Sequence, residues 1–320
     1  MQRAIAGLLA TALVAAACSA GEPAEPAPTT SAAETTTTAA AEAFPITVAA
    51  DNGDVTIEAR PQRILSLSAA ATEILFAIGA GDQVAAVDSF STYPAEAPTD
   101  PDLMAIEPNI EAIVDDHDPD LVVLFFDPGE VEASFAALGI PVIVQLAPID
   151  IDGIYPQVEL LGAATGNVDG AAALVAGMQD DIDAIVAEYG DMAAGVTYYH
   201  ELDDTLYTVT STTFVGDVYD RLGMVNVADP ADADGSAFGY PQLSAEFLVD
   251  ADPDMIFLAD TVCCGQSAAT IAERPGWEAL SAVPDAVVEL DDDVASRPGP
   301  RVVDFLSVIA DAVAARGVSG

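Results

Sequence analysis

The feature that most limits what this chain can fold into is a block that occurs twice. "PNIEAIVDDHDPDLVVLF" begins at Pro108 and "PQLSAEFLVDADPDMIFL" at Pro241. Each reads as a proline-led helix, an Asp-Pro-Asp break that ends it, and a wholly apolar strand. Two further blocks pair in the same order. "SAAATEILFAIGA", ending near Gly79, matches "TSTTFVGDVYDRLG", ending at Gly223, and "FAALGIPVIVQL" matches "WEALSAVPDAVVEL". Three matched blocks in one order predict two α/β lobes of similar topology.

The strands expected in the first lobe are 63–67, 83–88, 121–126 and 141–146. Those of the second are 195–200, 205–210 ("TLYTVT"), 255–259 and 286–291. Between the lobes, Leu174, Val175, Met178, Ile182, Ile185, Val186 and Tyr189 recur at helical spacing within 167–191. About 20 residues of helix span roughly 30 Å, a stiff connection that predicts little bending between the lobes. The resulting fold class is α/β: two similar three-layer lobes joined by one long rigid helix. Ligands in open α/β structures sit outside the carboxyl ends of the strands, so two such edges are expected to face one cleft.

Charge excludes one partner class. Eight arginines and no lysine stand against 53 acidic residues, a formal net charge of -45. Phosphate binding needs clustered cations, so no nucleic acid is expected. The acids are dispersed and read as a solvated surface, suited to solubility in high salt. Enzyme signatures are missing: there is no G-x-S-x-G, S-x-x-K, H-E-x-x-H or phosphate loop. "GAGDQ" at 79–83 lacks the third glycine and follows a helix, so it is no dinucleotide fingerprint. No catalytic residue is assigned.

The N-terminus stands apart from the folded body. "MQRAIAGLLATALVAAAC" carries Arg3, an apolar run and small residues leading to Cys18. It reads as a signal peptide over 1–17, too short to span a membrane. The small residues before Cys18 resemble a lipobox, with Ala15 where leucine is usual, which implies lipidation of Cys18. Residues 19–43 contain no large apolar side chain, so 18–44 is expected to be a disordered tether. The lobes then occupy 45–166 and 192–320.

Taken together, two lobes, one bridging helix and a lipoprotein leader resemble the solute-binding proteins of ABC importers for cobalamin, haem and ferric siderophores. "RILSLSAAATEILFAIGAGDQVAAVDSFSTYP", "PDLVVL", "LGIPV", "RPGWEALSAV" and "ASRPGPRVVDF" carry the likeness across the whole body. The resemblance implies a monomeric, membrane-anchored receptor outside the cytoplasm. Its partners are an ABC permease and its ATPase, and its ligand is an iron or cobalt chelate rather than an intrinsic cofactor. A surface sensing lipoprotein of the same fold is the alternative.

Residue by residue, the resemblance implies exposed permease-docking glutamates at Glu73 and Glu246. It places Phe90, Tyr207 and Tyr240 as aromatic walls, and Asp293 and Arg297 as polar positions of the pocket. Aromatic planes offer a flat macrocycle large contact area at small entropic cost. A guanidinium at Arg297 can pair with ligand oxygens. Arg301, beyond the Pro-Gly-Pro turn, is expected to pair with an acid such as Asp304 in the last helix. Adjacent Cys263 and Cys264 leave three options open: a strained disulfide, free thiols or soft contact with a chelate. No bare metal site is expected. His117 lies in a helix-end turn, and His200 reads first as a polar strand-end residue, with the alternative that it is the one histidine worth testing as an axial ligand.

Overall fold

The described chain, residues 44–318 of this computed structural model, opens with an antiparallel hairpin of β1 (Ile46–Ala50) and β2 (Gly53–Ile57). The first lobe follows as β3 (Ile64–Leu67), α1 (Ala69–Ala77), β4 (Val84–Val87), α2 (Ile110–His117), β5 (Leu121–Leu124), α3 (Val131–Ala137) and β6 (Val142–Val144). Next come α4 (Ile154–Thr165) and the bridging helix α5 (Val168–Ala193), which at 26 residues is about 39 Å long. The second lobe comprises β7 (Thr197–Glu201), α6 (Phe214–Asp220), β8 (Val225–Asn226), α7 (Ala245–Ala251), β9 (Met255–Leu258), α8 (Thr261–Cys264), α9 (Ala268–Ala272), β10 (Val287–Glu289), α10 (Asp292–Ser296) and α11 (Val302–Val318).

The two lobes share one topology. Their sheets run β4-β3-β5-β6 and β8-β7-β9-β10, all parallel. In both, the lobe's first strand lies second and the last lies at the edge. The repeated block shows why the sequence folds this way. Asn109 and Ser244 cap α2 and α7 by accepting from the N–H groups of Ala112 and Phe247. Asp118 and Asp252, the first acids of the two Asp-Pro-Asp breaks, end those helices in the left-handed conformation at φ 43° and 41°. The second acids tie the break to each lobe's first strand. Asp120 accepts from the N–H groups of Gln62 and Arg63, and Asp254 from the N–H and hydroxyl of Thr197.

Strand alternation then builds three layers. On the outer face of the first sheet, Leu65 and Val122 pack with Ile113 of α2 and Phe135 of α3. On the outer face of the second, Tyr199 and Ile256 pack with Leu248 and Trp277. The inner faces belong to one continuous apolar cluster. It runs from Ile64 and Leu121 through Met178 and Ile182 of α5 to Tyr198, Phe257 and Phe305. Gly170 lets α5 close on the end of α1, since a Cβ there would meet the Ile78 carbonyl oxygen at 2.2 Å.

Two elements differ from expectation. "TLYTVT" forms no strand: Thr208 bridges only Glu201 and Tyr207 only Gln242, while Leu206 sits at φ 69°. Asp203 also takes the Thr205 N–H and hydroxyl, which turns the chain there. Its place in the sheet goes to the short β8. The β1–β2 hairpin was not expected. Its Asn52 carboxamide bonds Val142 O and Val144 N–H, covering the free edge of β6. Among the described residues, no helix is long and apolar enough to cross a membrane. Cys18 lies outside the described residues.

Candidate functional site

The carboxyl ends of β3, β4, β5 and β6 give way to Ser68, Asp88, Phe125 and Gln145, and all four residues line one cavity of about 440 Å³. Its first-lobe wall is apolar, with Phe90, Ile106, Phe125 and Leu146 left exposed. The second lobe closes it with Ser296, Arg297 and Pro298. Two wider depressions, of about 590 and 620 Å³, lie on the first lobe alone. Only the smaller one is both interlobe and at the strand ends, where parallel α/β folds bind ligands.

Phe90 and Arg297 therefore meet in this cavity. Arg297 is not a free fork: it donates to Phe90 O (2.8 Å), Thr92 Oγ1 and Glu73 Oε1 (both 3.4 Å), and pairs with Asp293 Oδ1 at 2.7 Å. Asp293 stands behind it and also accepts from Thr92 at 3.0 Å. Asp88 lines the same wall and accepts from the Ser91 hydroxyl at 2.5 Å. Burial raises its pKa, against lowering by that bond and by Arg297. Tyr207 and Tyr240 are half-exposed on the second lobe and do not line this cavity. Beside them, Phe238 is 87% exposed at φ 54°.

Glu73 is not where its expected role needs it. Its side chain is 1% exposed and lies under the second lobe. Arg301 donates Nε to its Oε2 at 2.9 Å and NH2 to its Oε1 at 2.5 Å, in the bidentate form that favours guanidinium. Arg301 also covers the Tyr93 ring at 4.4 Å. The expected Arg301–Asp304 pairing is replaced by this one, because the turn before α11 aims Arg301 across the cleft. Glu246, by contrast, is exposed in the first turn of α7.

His200 stays in the core, and the alternative that it reaches a cleft ligand fails. It is fully buried, with Nδ1 against Tyr219 Oη at 2.8 Å and the Phe305 ring beside it. Burial pushes its pKa down to about 3, so it is a neutral core residue out of reach of a cleft ligand. Cys263 and Cys264 are joined in a disulfide within α8. Asp292 holds that turn by accepting from Thr261, Val262 and Cys263 N–H. Among the described residues, no cluster of His, Cys, Asp and Glu could hold a metal ion.

Under the second lobe's strand ends lies a group that sequence reasoning missed. Glu201, fully buried at the end of β7, takes both Arg274 NH1 and NH2 at 2.6 Å. Arg274 also lies over Trp277 at 4.6 Å. Asp260, just beyond β9, is fully buried, and neither of its oxygens accepts a hydrogen bond. Desolvation, then the neighbouring Glu201 charge, push the Asp260 pKa up to about 7. Asp260 follows an expected strand, whereas Asp88, Phe125 and Gln145 fall in the last two positions of the expected strands 83–88, 121–126 and 141–146, which the structure ends just before them.

A family profile described as "Periplasmic binding protein" matches residues 64–294. The chain is 30% identical over 282 residues to a cobalamin-binding protein of Halobacterium salinarum, covering 84% of this chain and 74% of that one. It is 29% identical over 320 residues to an uncharacterized ABC transporter substrate-binding lipoprotein of Bacillus subtilis, covering 96% and 95%. Among solved structures, the periplasmic vitamin B12 binding protein of Vibrio cholerae matches with a TM-score of 0.64 at 25% identity, over 80% of this chain and 98% of that one. An ABC-type Fe3+-hydroxamate transport protein of Saccharomonospora viridis shares the fold, with a TM-score of 0.65 at 22% identity over 84% and 99%.

Proposed function

The chain belongs to the periplasmic binding protein family, and from that premise we propose that it is the lipid-anchored receptor of an ABC importer for a metal chelate. The family is one of solute-binding transport components rather than enzymes. The cargo is a corrinoid or a ferric siderophore, with haem third, taken as a single chain outside the cytoplasm and passed to the permease and its ATPase. One observation carries the reading: an interlobe cavity whose apolar first-lobe wall faces Arg297. A flat chelate lays its face on Phe90, Phe125 and Leu146. The names of the Halobacterium and Vibrio relatives support a corrinoid, and that of the Bacillus relative supports anchoring through Cys18.

Binding closes the lobes little, because α5 resists bending. Tyr207, Tyr240 and Phe238 supply the second lobe's aromatic surface toward a ligand larger than the cavity. Trp277 is buried in the second lobe's outer core, so calorimetry is a better readout than quenching of its fluorescence. Cyanocobalamin, haemin and ferric hydroxamate or catecholate siderophores are the ligands to titrate. At least one binds with Kd below roughly 10 μM, about −7 kcal/mol; if none does, the import reading fails.

Permease docking falls to Glu246, the glutamate that is exposed. Glu246→Ala is expected to abolish uptake in a transport assay while ligand affinity stays within about twofold, roughly 0.4 kcal/mol. An equal loss in affinity and uptake would instead place Glu246 in the ligand site.

A further inference from the structure

Gln145 follows β6 at the cleft-facing edge, is 5% exposed, and lines both the interlobe cavity and the adjoining depression on the first lobe. Its carboxamide has a fixed sense. Nε2 donates to the Gln157 carbonyl at 3.0 Å, and the reverse orientation would set Oε1 against that carbonyl oxygen. Gln157 is itself held, since its Nε2 donates to Leu146 O at 2.6 Å. Oε1 of Gln145 is buried and receives no hydrogen bond. A buried acceptor without a donor is costly, and a partner that supplies one is rewarded.

The cavity's own cation does not supply that donor. Arg297 spends its guanidinium on Glu73, Thr92, Phe90 O and Asp293. Of the wall's other buried polar side chains, Asp88 is a second acceptor, and Ser68 adds a hydroxyl that accepts from the Ala71 N–H. The first-lobe wall thus presents apolar surface with two oxygen acceptors in it. A ligand meets this wall well if it carries N–H or O–H donors at its rim. Ionised carboxylates set against Gln145 Oε1 or Asp88 would face acceptors and stay unpaired there.

We propose that Gln145 is a specificity-determining residue of the cleft, whose Oε1 accepts an N–H or O–H from the rim of the bound chelate. The inference rests on the receptor reading and narrows its cargo class. The preferred ligand is a chelate bordered by carboxamides or hydroxyls, rather than one bordered by carboxylates. Sites built to hydrogen-bond a polar group discriminate strongly against analogues that lack it, because their own buried groups are then stranded.

The test is calorimetric titration of the full chain and of Gln145→Met, which keeps length and apolar stem but lacks the amide. Two corrinoids serve as probes: dicyanocobinamide, with peripheral carboxamides, and dicyanocobyrinic acid heptamethyl ester, with esters in their place. Wild type is expected to favour the amide corrinoid by at least about tenfold, 1.4 kcal/mol. Gln145→Met loses that preference by weakening the amide form alone, and its unchanged ester affinity shows that the variant is folded. Gln145→Leu, with the same outcome, separates the acceptor from side-chain shape.

Equal affinities in wild type, an amide affinity unmoved by Gln145→Met, or equal loss of both probes would overturn the proposal. So would tighter binding of haemin, with its ionised propionates, than of the amide corrinoid. If only a ferric siderophore binds, Gln145→Met must weaken it by about the same tenfold. A cargo without N–H or O–H donors overturns the role. Failure of every chelate to bind wild type removes the receptor reading itself, and this inference with it.

Discussion

Glu73→Ala is expected to lower the Tm by on the order of 10 °C, from the loss of about 3 kcal/mol of stability. Glu73 comes from the middle of α1 and receives three guanidinium contacts from the far lobe, two from Arg301 and one from Arg297. Removing the carboxylate leaves two cations facing each other with side chains only 14% and 12% exposed. Arg297 keeps Asp293, so most of the cost falls on Arg301. A guanidinium stays protonated throughout the working pH range, so Arg301 cannot shed its charge to escape. Differential scanning calorimetry checks this, with Glu111→Ala, on the exposed face of α2, as a control expected to change little. Adding Arg301→Met to Glu73→Ala should recover part of the loss, since the stranded cation goes with it. A fall below about 2 °C, under 1 kcal/mol, would show that the bridge does not hold the lobes.

Arg274→Met is expected to cost a similar 3–5 kcal/mol at pH 8, and less at pH 5. Arg274 is the one cation facing two buried acids, Glu201 and Asp260. Without it, Glu201 can remain buried only by taking a proton, which acid supplies and alkali does not. Asp260 gives the intact protein a pH slope of its own. Its folded pKa, about 7, lies above the ordinary 3.8. The folded chain therefore holds a proton that the unfolded chain has released. The associated stability is fully present below about pH 4 and is lost as pH rises through 7. Urea midpoints measured from pH 5 to 8 should fall in wild type and fall less in Asp260→Asn. The difference at pH 8 is on the order of 2 kcal/mol. Parallel curves for the two proteins would show that Asp260 does not carry this proton.

The fold was legible because its signals are local and occur twice. A cap, an Asp-Pro-Asp break and an apolar strand in the same order twice are enough to imply matched lobes. The helical spacing from Leu174 to Tyr189 marks α5 in the same way. "ITVAADNGDVTI" holds an alternating pattern and an Asn-Gly turn, so the hairpin was equally open to a reading that looked outside the repeats. "TLYTVT" shows the limit: its strand propensity is real, but Asp203 and the left-handed Leu206 decide the backbone.

The site was less legible for a different reason. Glu73 and Arg301 are separated by 228 positions, and no periodicity announces a contact at that distance. A glutamate on a helix reads as surface unless its partner is known. His200 looked available because it ends a strand, and only the packing of Tyr219 and Phe305 shows that the cleft is elsewhere. Gln145 was hidden in the strand "PVIVQL", where one polar residue passes for an interruption.

The inner apolar cluster changes what the internal symmetry means. Two matching α/β units, each with its own sheet, are the usual material for two domains that fold and turn over separately. Here their inner faces meet on a single helix, with Met178 and Ile182 of α5 joining Ile64 and Leu121 to Tyr198 and Phe257. Each half keeps an outer core of its own, but their inner faces share one, and the described residues form one compact unit. The shared inner core couples the two lobes: opening one uncovers the inner face of the other, so protection gained by a ligand on one wall is expected to extend to both.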